Sequence, residues 1–101
     1  MRKIKETTDL LSRLGERLRA ARLARNETMS VFAERLGVSE GTVRAMERGS
    51  PTVQTGAWLN ALWVLNRLQE IEHVLEPRES LLDRARNERA ARRQRASRRS
   101  Q

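Results

Sequence analysis

The stretch Phe32-Ala33-Glu34-Arg35-Leu36-Gly37-Val38-Ser39-Glu40-Gly41-Thr42-Val43-Arg44 constrains the fold of this chain more than any other. Gly37 supplies the positive φ that a tight interhelical turn needs. Ser39 is a good N-cap for a following helix. Ala33, four positions before the turn glycine, is small enough to let two helices cross closely. Val43 and Met46 continue an apolar face at helical spacing beyond it. The pattern predicts one short helix over 29–36, a sharp turn, and a second over 40–48.

The rest of the chain reads as helices around this pair. Leu10, Leu11, Leu14, Leu18 and Ala21 recur at spacings of three and four and predict a helix over 9–25. Asn26 is a left-handed stop, and Thr28 caps the next helix. After Gly49, the connector Ser50-Pro51-Thr52 leads to a helix over 54–65 carrying Trp58, Leu59, Leu62, Trp63 and Leu65. Asn66 ends it. A fifth helix is expected over 67–75, with Leu68, Ile71, Val74 and Leu75 on one side, before Pro77 interrupts the chain. Leu81, Leu82 and Ala85 start a sixth. From Asn87 onward no apolar residue exceeds alanine, so the chain is expected to be helical near residue 80 and frayed beyond residue 90. No alternating β-branched run predicts a strand. The expected class is all-α, with an arm over 1–8, one domain over 9–76 and a basic tail over 77–101.

Composition narrows the function. There is no cysteine and His73 is the single histidine, so thiolate chemistry is excluded and a metal site is not expected. No glycine-rich phosphate loop or paired-carboxylate constellation is present, and neither an enzyme nor a bound cofactor is expected. The longest apolar run, Ala61 to Leu65, is far short of a membrane span, and no secretory signal follows the basic start. A cytoplasmic protein with no membrane partner is the expectation. Of the net charge of +8, residues 77–101 contribute nine Arg against three acidic residues, whereas residues 1–76 are nearly balanced. Such a tail has three readings: a grip on nucleic-acid phosphates, a dock for an acidic protein, or a solubilising appendage. Arg outnumbers Lys nineteen to two, which a GC-rich genome alone also yields.

Two short helices joined at a glycine are the form of a helix-turn-helix, which inserts its second helix into the DNA major groove. Leu14-Gly15-x-x-Leu18-Arg19, Phe32-Ala33-x-x-Leu36-Gly37-Val38-Ser39 and Val43-x-x-Met46-Glu47-Arg48-Gly49 resemble the Cro/phage-repressor (Xre-type) family. The resemblance covers residues 14–65. It implies a lambda-repressor-like domain of five helices that dimerises on a palindromic operator in double-stranded DNA. Leu36, Val43 and Met46 then hold the reading helix on the core, and Ser39, Glu40, Gly41, Thr42, Arg44 and Arg48 are left to face DNA. Glu40 suits a cytosine amino group, and Gly41 a close approach or a thymine methyl. Arg44 suits either a guanine edge or a phosphate. Where the family carries a glutamine at the start of helix two, this chain has Met29. Thr28, Ser30 and the backbone amides of that helix start remain to meet phosphate. Glu47 and Arg22 match a family pair that ties the reading helix to helix one; the alternative is two solvated charges.

The connector Gly49-Ser50-Pro51-Thr52-Val53 and the tryptophans after it also resemble HipB-type antitoxin regulators. That likeness implies a dimeric repressor of its own operon that binds a HipA-like kinase toxin. Stand-alone or prophage repressors share much of the pattern, and a helical module that binds proteins without reading DNA is the competing class. Trp58 and Trp63 lie five apart, so one helix face cannot bury both. One is expected in the core. The other, with Leu62, Leu68, Ile71 and Leu75, is the candidate dimer surface, unless both tryptophans close a small core.

Overall fold

The three central helices of this chain have ten residues or fewer, and they depend on how their ends are closed. In a computed structural model describing residues 1–78 and 81–99, the order is α1 (Lys5–Ala24), α2 (Met29–Leu36), α3 (Glu40–Glu47), α4 (Thr55–Val64), a 3₁₀ turn (Leu68–Glu70) and α5 (Leu81–Arg99). No strand occurs among the described residues. The all-α class is as expected.

The first four helices end alike. Asn26, Gly37, Gly49 and Asn66 all adopt positive φ, at 55°, 72°, 78° and 58°. At each, the following residue's N–H reaches back five positions: Glu27 to Arg22, Val38 to Ala33, Ser50 to Ala45, Arg67 to Leu62. The residue itself reaches back three, for example Gly37 to Glu34. This paired bond is the Schellman closure, which satisfies the last carbonyls of a helix. The starts of α2 and α3 are closed by side chains: Thr28 Oγ1 accepts from Val31 N at 3.2 Å and Ser39 Oγ from Thr42 N at 3.1 Å. Helices of eight residues cannot persist alone in water. Capped ends and burial hold them.

The buried core is Leu18 of α1, Phe32, Ala33 and Leu36 of α2, Val43 and Met46 of α3, and Ala57 and Ala61 of α4. Met29, Val38, Val53, Trp58, Val64 and Leu65 pack around it. α4 meets α2 through its alanines, with the large residues at the edges. Asn60 adds a polar link, donating Nδ2–H to the Leu36 carbonyl at 3.0 Å.

α1 crosses the end of α3 at a distance only glycine permits. A Cβ on Gly15 would lie 2.5 Å from the Glu47 carbonyl oxygen and 2.6 Å from that of Met46. A Cβ on Gly49 would lie 2.8 Å from the Ser12 Cα.

Three expectations are corrected. The arm over 1–8 is half helical: α1 begins at Lys5, and an exposed Lys5–Asp9 pair at 3.1 Å spans its first turn. The helix expected over 67–75 is instead the 3₁₀ turn and a run of i→i+3 turns that ends at Leu75, φ 65°. Ten residues lie between Asn66 and Pro77, more than in α2 or α3, but none of them is buried, so packing does not repay helix nucleation. Leu68 and Ile71, eclipsed at i and i+3, are half-buried, whereas Val74 and Leu75 are exposed, so the expected single apolar side splits. The tail is helical to Arg99 rather than frayed beyond 90. Its alanines, arginines and Gln94 are good helix formers. The side chain of Leu81 lies outside the described residues; Leu82 is exposed.

Gly15→Ala is expected to destabilise the protein by about 1–3 kcal/mol, since backbone carbonyls cannot yield to the added methyl. Urea unfolding followed by helical circular dichroism measures it; an unchanged midpoint would contradict the close crossing.

Candidate nucleic-acid interface

On α3 the buried residues Val43 and Met46 define one side, and Glu40, Gly41, Arg44 and Arg48 are exposed. At about 100° per residue, these four fall within one arc of little more than a quarter turn. They form a single stripe from the capped N-terminus to the C-cap. Glu40 and Gly41 occupy the first turn, where the helix dipole is positive; Arg44 and Arg48 follow one and two turns on.

The fold does not require glycine at 41. A Cβ there would meet only Ser39 Oγ, at 3.7 Å, and the residue is exposed within a helix. Glycine at such a place loses helix stability relative to alanine, and it leaves the backbone of the first turn bare.

Ser39 and Thr42 are engaged with each other. Their hydroxyl oxygens are 3.0 Å apart, while Ser39 also caps the helix, and Thr42 is half-buried. Met29 is half-buried and packs on the core, so its side chain serves α2 and not the solvent. Thr28 and Ser30 are exposed at the start of α2. The first N–H groups of a helix have no partner within it, and those of Met29 and Ser30 are of this kind.

The stripe is fixed at its C-terminal end by charge. Arg22 donates Nε–H to Glu47 Oε2 at 2.8 Å and Nη2–H to Oε1 at 3.0 Å, a two-point clamp. Both side chains are less than a tenth exposed. Arg22 also donates Nη1–H to the Glu27 carbonyl at 3.0 Å. The hydrogen bond to Glu47 raises the Arg22 pKa above its ordinary value against the opposing effect of burial, so the guanidinium stays charged. The reading of two solvated charges is thereby overturned. Glu27 joins the same network, its Oε1 3.1 Å from Arg25 Nε and 3.3 Å from Arg35 Nε. Arg25 goes on to donate Nη1–H to the Val64 carbonyl at 3.1 Å, tying α1 to the end of α4.

Of the candidate dimer residues, Trp58, Leu62, Leu68 and Ile71 are half-buried. Trp58 packs on the core and, with Leu62, lines a shallow groove against Leu14, Leu18 and Ala21. Trp63 is 71% exposed and Leu75 is 96% exposed. The tryptophans therefore divide, one against the core and one in solvent. His73 Nδ1 lies 2.7 Å from Glu76 Oε1 on the surface. Among the described residues no group of three His, Asp or Glu side chains is placed to hold a metal ion, and no helix is long and apolar enough to cross a membrane.

The positioning residues not anticipated were Gly15, Asn60, Glu27, Ala57 and Ala61. Gly15 had a signal, since glycine inside a helical pattern marks a close backbone approach.

A glycine-turned helix pair, its second helix buried on one side and bare on the other, defines a helix-turn-helix protein. The family described as helix-turn-helix domain matches residues 13–73, and the chain belongs to it, within the Xre/Cro-like class. Comparison with curated proteins and with solved structures gave no match.

Removing one member of the clamp leaves a buried charge unpaired, which costs about 3–5 kcal/mol. Glu47→Ala is therefore expected to lower the unfolding free energy by that amount. The double variant Arg22→Met/Glu47→Leu should regain most of it. Equal losses in single and double variants would contradict the account.

Proposed function

We propose that this chain is a sequence-specific DNA-binding repressor that acts as a homodimer, with α3 in the major groove. It acts by binding and not by catalysis. The observation that carries the reading is the α3 stripe: four exposed residues in one arc, anchored at the helix C-terminus by a buried ion pair, with a glycine the fold does not need. In this reading Arg44 contacts a guanine edge or a phosphate, Arg48 a phosphate, and Glu40 a cytosine amino group. Thr28, Ser30 and the amides of Met29 and Ser30 receive a phosphate at the start of α2. Ser39 and Thr42 set the first turn of α3.

The same reading makes the operator palindromic, with half-sites about 34–36 Å apart to match a two-fold dimer. Trp63 and Leu59, one turn apart on α4 and both exposed, are the apolar residues offered to a second copy. Autoregulation as the antitoxin of a HipA-like kinase is the narrower form, supported by the connector Gly49 to Val53 and the two tryptophans. Copurification of such a kinase encoded beside this chain tests it.

The whole reading is tested by fluorescence anisotropy with the chain's own promoter and an unrelated duplex at several salt concentrations. Promoter binding about 10³-fold tighter or more is expected; equal affinity for both would contradict sequence reading. Arg44→Ala should weaken promoter binding by about 1–3 kcal/mol if it reads a base, and relax specificity at one position only. A loss equal on all duplexes makes Arg44 a phosphate contact. Trp63→Asp should leave stability within about 0.5 kcal/mol while sedimentation shows monomers. A variant that stays dimeric places the interface elsewhere.

A further inference from the structure

α5 is absorbed by none of this. It holds eight Arg against Asp83 and Glu88, and the eleven residues from Arg89 to Arg99 include six Arg and no acid. Every described side chain on it is exposed except half-buried Ala85. At about 100° per residue, Arg86, Arg89, Arg92, Arg93 and Arg95 fall on one half of the circumference, with Glu88 as the one acid among them, and Arg84, Asn87, Ala90, Ala91 and Gln94 on the other. Those five arginines hold no ion pair among the described residues.

Like charges three and four apart on a helix repel one another. Arg89 faces Arg92 and Arg93, and Arg92 faces Arg95. No apolar contact offsets this, because beyond Leu82 nothing on the helix is larger than alanine apart from polar residues. An anionic partner removes the repulsion. The chemistry of the helix also selects the kind of partner. A protein interface needs an apolar centre, and a membrane-surface helix needs bulky apolar residues opposite its charges; α5 has neither. Protein–DNA interfaces are polar, basic and wet, and duplex DNA presents phosphates at a density that Arg spaced by three and four residues can match. With 19 residues at about 1.5 Å each, the helix spans roughly 28 Å, most of one duplex turn.

We propose that α5 is a second DNA-contacting element, which lies along the phosphate backbone beside the operator and adds affinity without adding sequence preference. The proposal rests on the DNA-binding reading of α3 and extends the footprint beyond it.

The test uses the full chain and the variant Arg89→Gln/Arg92→Gln/Arg93→Gln/Arg95→Gln, with two duplexes. One covers only the operator, and the other extends it by one helical turn at each end. The substitutions lie outside the core, and an unchanged thermal melt confirms that the variant is folded. Each phosphate contact contributes about 0.9 to the slope of log affinity against log salt. On the long duplex the variant should therefore show a slope shallower by roughly 3 to 4. The ratio of operator to scrambled affinity should stay unchanged, and on the short duplex the difference should shrink. The matching Arg→Lys variant should restore the slope. An unchanged slope on the long duplex overturns the proposal while leaving α3 reading intact. Loss of sequence preference in the Gln variant also overturns it, since α5 would then be reading bases. If the unmodified chain binds neither duplex, the α3 reading itself falls, and this proposal with it. Retention of DNA behaviour together with loss of binding to an acidic protein partner assigns the helix to that partner instead.

Discussion

The buried pair of Arg22 and Glu47 ties the last turn of α1 to the last turn of α3, and the rest of the domain is arranged around that join. Two neutralised charges, each less than a tenth exposed, are costly to bury and costlier to separate. Their two-point geometry also sets an angle, since a planar guanidinium accepts a carboxylate edge-on. Gly15 and Gly49 make the join reachable: a methyl at either position would drive α1 and α3 apart. Without this closeness the clamp could not form, and α3 would lack a fixed pose.

An eight-residue helix offers little stability of its own, which explains the crowding of devices around α3. Ser39 closes its start, Gly49 closes its end, Val43 and Met46 seat it on Phe32 and Leu36, and Glu47 locks its last turn. Nothing holds its outer side, where Glu40, Gly41, Arg44 and Arg48 stand in solvent. A fixed helix backbone with its outer side left bare suits a recognition surface, because no backbone then has to be ordered on binding.

Much of this was legible in the sequence because it is local. Asn26, Gly37, Gly49 and Asn66 announce helix ends through their own backbone preferences, and Thr28 and Ser39 announce helix starts. The core face of α3 follows from periodicity. The clamp was legible only through the family resemblance, since no spacing rule links residues 22 and 47. What could not be read was set by tertiary closeness. The use of Ala57 and Ala61, and not Leu59 or Trp63, as the buried side of α4 depends on how near α2 lies. The Asn60 bond to Leu36 depends on the same approach. The segment after Asn66 has helical periodicity, yet it buries none of its apolar residues and forms only turns. The tail carries helical propensity without an apolar face, and pattern reading takes the missing face for fraying.

A two-dimensional ¹H–¹⁵N nuclear magnetic resonance titration, with a duplex selected by this protein from a random pool, tests whether α3 reads DNA. The largest amide shifts should cluster on Ser39 to Arg48 and at the start of α2, with the core of α4 unmoved. Shifts confined to α5, with α3 unchanged, would contradict the claim that the clamped helix is the one that reads DNA.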